Sequence, residues 1–364
     1  MTAVHQFVPA LLPRDATGDH TRALRDAFVA AGWESRIFAE AAHDEICDEA
    51  IHYTDYPSYA GPDDVLLYQV GTASPVSEFL LSRREPLVLD YHNITPGHFY
   101  AGWEDETAAR VGRAREQLAA LAPRAVLGIA DSAYNAAELA ELGCRRTEVV
   151  PIVVDVDGWA EDPDPAALAE LAATRAASGP VWLFVGRLSP NKAQHVLVEA
   201  LWLARRWFDP DTRLHLVGPA VTGAYAQALD GFVDELGLAG AVRRGEHLSP
   251  AELAAWFRAA DVFVCVSEHE GFCIPLVEAM RFDLPIVALA AGAVPETAGD
   301  AAVLLGSSRP ATVATAAHRV ATDDRLRGVL AAAGRRRLAS FDPARSRQRF
   351  LEVLGALAGA PVAS

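Results

Sequence analysis

Lysine is almost missing from this chain: of 32 basic residues, all but Lys192 are arginine. Arginine has been used wherever any surface cation would serve, which singles out position 192 as one that needs a compact ammonium with three donors. Chance in a biased composition is the competing explanation. Cysteine is scarce too, with four residues at 47, 144, 265 and 273. They lack metal-ligand spacing, so reduced thiols are expected rather than a disulfide frame. Basic charge is short overall: 48 acidic residues leave a net charge of −16, and residues 1–150 hold 12 Arg against 23 Asp and Glu. That balance excludes the basic stripe needed for nucleic acid and the polybasic face of a lipid-docking domain. No run of 18 apolar residues occurs, and the opening residues have neither the basic head nor the clean apolar centre of a leader, so a cytoplasmic protein without stable membrane association is expected. Also missing are a Gly-x-Gly-x-x-Gly fingerprint and the Gly-Lys-Ser/Thr ending of a Walker A loop, which disfavours nucleoside triphosphate hydrolysis.

What is present is ordinary globular composition, 51% hydrophobic and 22% charged over 364 residues, long enough for two domains of about 150 to 200 residues. Apolar runs expected as strands lie at 4–12, 35–38, 64–70, 86–91, 125–130 and 149–154, then at 181–185, 214–217, 262–266 and 286–289. Helical patterns alternate with them, among them 19–31, 104–121, 165–177, 224–236 and a final pair after Pro310. Such alternation argues for parallel, doubly wound α/β sheets. The acidic, proline-bearing stretch Glu161-Asp162-Pro163-Asp164-Pro165 reads as an inter-domain connection, dividing residues 1–154 from 155–342.

The most informative stretch is 262–285. Val262-Phe263-Val264-Cys265-Val266 has the character of a strand buried on both faces. The polar turn Ser267-Glu268-His269-Glu270-Gly271 follows, with Gly271 expected to supply a close or left-handed backbone. From about Pro275 the pattern is helical, with Leu276, Ala279 and Met280 on one face. Strand, turn and helix in this order suit a sugar nucleotide: amides at the helix start receive a diphosphate, and Glu270 and Glu278 accept hydrogen bonds from hydroxyls. Taken alone, two glutamates eight apart are more often solvated surface.

Three further places carry chemistry. After strand 181–185, Gly186-Arg187-Leu188-Ser189-Pro190-Asn191-Lys192 offers a guanidinium fork and an ammonium suited to a diphosphate leaving group. His92-Asn93-Ile94-Thr95-Pro96 begins at the carboxyl end of strand 86–91, where open α/β sheets place ligands. A lone glycine, Gly18, precedes Asp19 at a helix start. Against these stands Asp155-Val156-Asp157, an Asp-x-Asp pattern of the kind that holds a divalent cation in metal-dependent transferases of a different architecture. Its acidic, proline-bearing surroundings favour the linker reading.

The phrases Ser267, Glu270-Gly271-Phe272, Pro275, Glu278-Ala279-Met280, Pro285 and Gly186-Arg187 through Lys192 resemble the signatures of retaining glycosyltransferases of family 4, and Tyr91-His92-Asn93-Ile94-Thr95-Pro96 resembles one subgroup of them. Cys273 stands where that family usually has Gly, and Phe282-Asp283 where it has a small residue and Gly. The resemblance implies the GT-B fold: two Rossmann-like doubly wound domains facing across a cleft, 1–154 on the acceptor side and 155–342 holding the donor, with a terminal helix 343–360 packing back on the first. It implies catalytic roles for His92, Arg187, Lys192 and Glu270, and donor contacts from Gly18, Gly186, Gly271, Phe272, Cys273, Ile274, Glu278 and Gly292. It implies a nucleoside diphosphate sugar as co-substrate, a small-molecule or glycan acceptor, no other cofactor and no metal. A sugar-nucleotide epimerase on the same scaffold, or a non-catalytic sugar-nucleotide-binding protein, are the rivals.

Overall fold

The computed structural model describes residues 3–13, 15–154, 162–174, 179–221 and 223–358. The chain divides into two compact units, one of Met1–His98, Glu106–Val154 and Phe341–Ser364, the other of Phe99–Asp105 and Asp155–Ser340. Asp155 and Asp157, and the ends of the helices expected at 165–177 and 343–360, lie outside the described residues.

The first unit is built on β1 (Ala3–Leu11), β2 (Ile37–Ala42), β3 (Ala50–His52), β4 (Asp64–Val70), β5 (Leu87–Tyr91), β6 (Leu127–Ala130) and β7 (Thr147–Val149). They form one parallel sheet in the order β3-β2-β1-β4-β5-β6-β7. Successive strand residues point to opposite faces, and both faces are apolar. Leu66, Tyr68, Val70, Leu87 and Leu89 enter one core, with Leu118 and Leu121 of the helix Asp105–Leu121 and Leu139 of the helix Ala133–Glu141. Val65, Leu67 and Val88 enter the other, with Phe28 of the helix Ala16–Ala30 and Phe350, Val353 and Leu354 of the helix Pro343–Ala358. The C-terminal helix is therefore part of this unit's core.

The second unit carries β8 (Val181–Val185), β9 (Arg213–Val217), β10 (Val242–Gly245), β11 (Val262–Cys265), β12 (Ile286–Leu289) and β13 (Ala302–Leu305), again all parallel, in the order β10-β9-β8-β11-β12-β13. Counted within the unit this is 3-2-1-4-5-6, the dinucleotide-fold order, in which the chain reverses direction across the sheet between the first and fourth strands. Residues 99–105 group with this unit although the chain reaches them early: the Phe99 ring meets His269 at 6.1 Å and Trp103 meets Tyr225 at 5.3 Å.

Several expectations are corrected. The first helix begins at Ala16, capped by the Asp15 side chain, so Gly18 lies in its first turn and not in a loop. The strand expected at 149–154 is instead Thr147–Val149; Val150 and Val153 are buried because they pack against the C-terminal helix. The edge strands β3, β10 and β13 and the short helix Val76–Leu81 are additional. Three helices, not two, follow residue 309: Pro310–Thr322, Asp324–Leu338 and Pro343–Ala358. Among the described residues no helix is long and apolar enough to cross a membrane.

Candidate functional site

In an open parallel sheet the loops after the two strands flanking the reversal point diverge and leave a crevice at the carboxyl edge. In the second unit those strands are β8 and β11, and the loops are Gly186–Lys192 and Ser267–Cys273. Three bonds tie them in register: Glu268 N–H donates to the Asn191 carbonyl at 2.8 Å, Asn191 Nδ2 to the His269 carbonyl at 3.5 Å, and Lys192 Nζ to Glu270 Oε1 at 2.6 Å. Ser189 Oγ donates to Asn191 Oδ1 at 2.6 Å, which turns the amide nitrogen toward His269. Asn191 and Ser189 thus position Lys192, a role that a sequence pattern does not reveal because their partners lie far along the chain.

The ammonium of Lys192 and the carboxylate of Glu270 are both largely shielded from solvent. Burial disfavours the charge on Lys192, but Glu270 beside it more than offsets that and holds the pKa above the ordinary value. One of the three ammonium protons serves Glu270, which leaves two for a ligand. Arg187 is exposed, and its guanidinium makes no hydrogen bond or ion pair among the described residues. Gly186, which precedes it, has φ 151° and donates its N–H to the Val217 carbonyl at 2.8 Å.

The helix Ile274–Arg281 starts from Cys273, and the left-handed residue in this turn is Cys273, at φ 71°, not Gly271. Asp283, at φ 56°, is left-handed as well. Both departures from the family's usual glycine therefore fall at backbone positions that favour glycine sterically. Cys273 Sγ lies 3.9 Å from Cys265 Sγ at the end of β11, and its hydrogen bond with Cys265, together with burial, pushes the Cys273 thiol well up. Thr297 Oγ1 donates to the Phe272 carbonyl at 2.6 Å. Gly292, at φ 56°, packs on the Glu270 backbone so closely that a Cβ would stand 2.3 Å from the Glu270 carbonyl oxygen, and Ala293 N–H donates to that oxygen at 2.9 Å. Gly271, Phe272 and Cys273 are buried and Ile274 is half-buried.

Glu278 stands apart. It is 8% exposed, and none of the described residues donates a hydrogen bond to its carboxyl. Burial alone pushes its pKa up to about 7. A buried polar group without a partner calls for an explanation outside the folded chain itself.

The first unit holds its own polar cluster at the carboxyl edge of β5. His20 Nε2 lies 2.9 Å from Asp90, and its Nδ1 accepts from the Val153 N–H at 2.9 Å. His92 Nδ1 lies 3.1 Å from Asp131, and its Nε2 lies 2.6 Å from Gln69 Oε1. The amide orientations are fixed from the far end: the Thr21 carbonyl can only accept, so Gln6 donates to it at 2.8 Å, Gln69 donates to Gln6 at 3.1 Å, and the Gln69 oxygen must face His92. Both ring nitrogens of His92 therefore donate, and the ring is an imidazolium. Burial opposes that charge, but Asp131 and Asp90 outweigh it and raise the pKa to about 9. His20, Asp90 and His92 come close enough to suggest a cation site, yet an imidazolium has no lone pair to give. Gly18, in the helix below, spends its N–H on the Asp15 carboxylate at 3.1 Å.

Residues 172–337 match the family described as Glycosyl transferases group 1. Among curated proteins, the D-inositol 3-phosphate glycosyltransferase of Thermomonospora curvata is 32% identical over 284 residues, 74% of this chain and 65% of that protein. Its counterpart in Geodermatophilus obscurus is 35% identical over 250 residues, 66% of this chain and 54% of the relative. The chain thus spans less than two thirds of the length of either. Among solved structures, Anabaena Alr3699/HepE in complex with UDP-glucose superposes with a TM-score of 0.75 at 20% identity, covering 98% of this chain and all of that one. Sucrose-phosphate synthase from Thermosynechococcus elongatus gives 0.76 at 20% identity over 99% of this chain. The fold is α/β with two Rossmann-like parallel-sheet domains of the GT-B type, and the match to the glycosyl transferases group 1 model falls in the second unit.

Proposed function

We propose that the chain is a glycosyltransferase that moves a sugar from a nucleoside diphosphate sugar to a hydroxyl of a soluble acceptor, without a metal and with retention at the anomeric carbon. The observation that carries this reading is the polarity of one crevice. At the reversal point of the second sheet, a guanidinium at Arg187 with no partner among the described residues and a shielded ammonium at Lys192 stand by the loops that bear the buried carboxyls Glu270 and Glu278. Cations suit a diphosphate, and carboxylates suit hydroxyls.

In this mechanism Lys192 and Arg187 stabilise the negative charge that grows on the departing diphosphate, in a water-poor setting where such charges act strongly. Backbone amides of the 271–274 turn assist them. Glu270 orients the sugar hydroxyls, held in place from behind by Gly292 and Ala293. Glu278 receives the ribose hydroxyls, which supply the partners it lacks. No carboxylate is assigned as a covalent nucleophile: the acceptor hydroxyl attacks the face from which the diphosphate departs, and a donor phosphate oxygen takes its proton. His92 and Gly18 belong to the first unit, and Gly18 has no free amide to offer a ligand, its N–H being donated to Asp15. For His92 the proposed part is electrostatic, since both of its ring N–H groups are spent on Asp131 and Gln69.

A UDP-sugar is the first donor to try, because the Anabaena neighbour was solved with UDP-glucose; a polyol phosphate is the first acceptor class, from the names of the curated relatives. A thermal-shift panel of uridine, guanosine, adenosine and thymidine diphosphates tests the donor half. A cognate nucleotide at 100 times its dissociation constant stabilises by about 2.7 kcal/mol, and no shift with any of them contradicts the proposal.

A further inference from the structure

We propose that Cys265, Cys273 and Glu270 form a binding site for a thiophilic divalent cation of the zinc class. The two sulfurs are 3.9 Å apart. Two thiolates at about 2.3 Å from a tetrahedral zinc stand about 3.8 Å from each other, so the pair is already set at the bite the ion requires. A carboxylate oxygen of Glu270 lies within 4.8 Å of both sulfurs, and all three residues are buried. The ligands come from the end of β11 and the turn that follows it, so a single short segment supplies them. Ser267 Oγ, 3.4 Å from Cys265 Sγ, is placed to support the first sulfur from outside the coordination shell.

Charge balance favours the same conclusion. Lys192, 2.6 Å from Glu270, brings one compensating positive charge to the cluster. With Lys192, a divalent cation offsets the three negative charges of two thiolates and a carboxylate, so the liganded set carries no net charge in a low dielectric. Sulfur ligands select soft ions over magnesium and calcium, which prefer oxygen cages. Cys47 is exposed and Cys144 belongs to the core of the first unit, so neither takes part. A consequence that rests on the proposed function is that the ion and the donor exclude each other, because Glu270 cannot ligate the cation and hold sugar hydroxyls at once.

The test is titration of the fully reduced, intact protein with Co²⁺ as a spectroscopic probe. A thiolate-to-cobalt charge-transfer band should grow to one equivalent and vanish when Zn²⁺ displaces the probe. It should be lost in Cys265→Ala and in Cys273→Gly and kept in Cys47→Ser and Cys144→Ala. Cys273→Gly suits the left-handed backbone at this position, so it keeps the test decisive even if Cys265→Ala fails to fold. Absence of the band in the parent protein, or its survival in Cys273→Gly, overturns the site. For the consequence, Zn²⁺ at ten times its own dissociation constant should weaken binding of the nucleoside diphosphate sugar about tenfold. Unchanged affinity for the sugar nucleotide refutes the exclusion. If no nucleotide binds in the absence of metal, the proposed function falls, while the cobalt band judges the metal site independently.

Discussion

Replacing Glu278 by Gln isolates the one carboxyl in the candidate site that nothing among the described residues satisfies. Its folded-state pKa is raised to about 7 by burial. A carboxyl raised in this way contributes stability that is fully present below its unfolded value and is lost as pH rises through the folded one. In the unliganded protein the window therefore runs from about pH 4.5 to pH 7, and the difference is roughly 3 kcal/mol. If ribose hydroxyls donate to the carboxylate, binding favours the ionised form and returns its pKa toward the ordinary range. With free and bound values of about 7 and 4.5, the donor should bind about tenfold more tightly at pH 8 than at pH 6, and binding at pH 6 should release about 0.9 proton. Isothermal titration with a nucleoside diphosphate sugar, in two buffers of different ionisation enthalpy, reads both quantities. The diphosphate of such a ligand is a diester and does not titrate in this range. In Glu278→Gln the affinity should become flat with pH and the proton release should vanish. A flat profile in the parent protein, or the same slope in the variant, refutes the assignment.

Lys192→Ala removes the ammonium and should lower turnover at least 10²-fold, the loss expected for one preorganised charge stabiliser; because it also strands the Glu270 carboxylate, Lys192→Ala/Glu270→Gln should recover stability but not rate. Near-normal turnover in either variant contradicts the role. His92 is a cation with a pKa of about 9 in the folded chain, so its contribution is complete below its unfolded value near 6.5 and fades as pH rises through 9. Thermal stability should fall over that window by about 3 kcal/mol, and His92→Phe should abolish the pH dependence. Gly292→Ala places a methyl group 2.3 Å from the Glu270 carbonyl at a φ of 56°. Displacement of Glu270 should weaken donor binding at least tenfold while circular dichroism shows the fold retained; unchanged affinity would mean that the Gly292 contact does not hold the site.

The central strands were legible because burial on both faces writes an uninterrupted apolar run. β4, β8 and β12 stand where the sequence puts them, at Asp64–Val70, Val181–Val185 and Ile286–Leu289. Edge strands leave a weaker record: β3 is three residues long and half-buried, β10 (Val242–Gly245) carries two arginines, and β13 is apolar but only four residues long. Residues 150–154 mislead in the other direction, since Val150 and Val153 are apolar for packing and not for pairing. In the site, Lys192, Glu270 and Glu278 were visible because each belongs to a compact sequence phrase. Asn191, Thr297, Asp131 and the Gln6–Gln69 relay were not, because a polar residue that positions another across 25 to 78 positions of chain leaves no local pattern. Gly271 was expected to be the left-handed residue; the turn instead forces that conformation on Cys273, and the same cysteine supplies the sulfur that faces Cys265.

The most direct test of the central claim is a single reaction followed by nuclear magnetic resonance. The protein is incubated with its stabilising nucleoside diphosphate sugar, a polyol phosphate acceptor panel and excess chelator, and the anomeric configuration of the product is read. The account predicts acceptor-dependent release of the nucleoside diphosphate, undiminished by the chelator, with the product anomer the same as that of the donor. Consumption of donor without acceptor, an inverted product, or activity that vanishes with the chelator and returns with Mn²⁺ would contradict it.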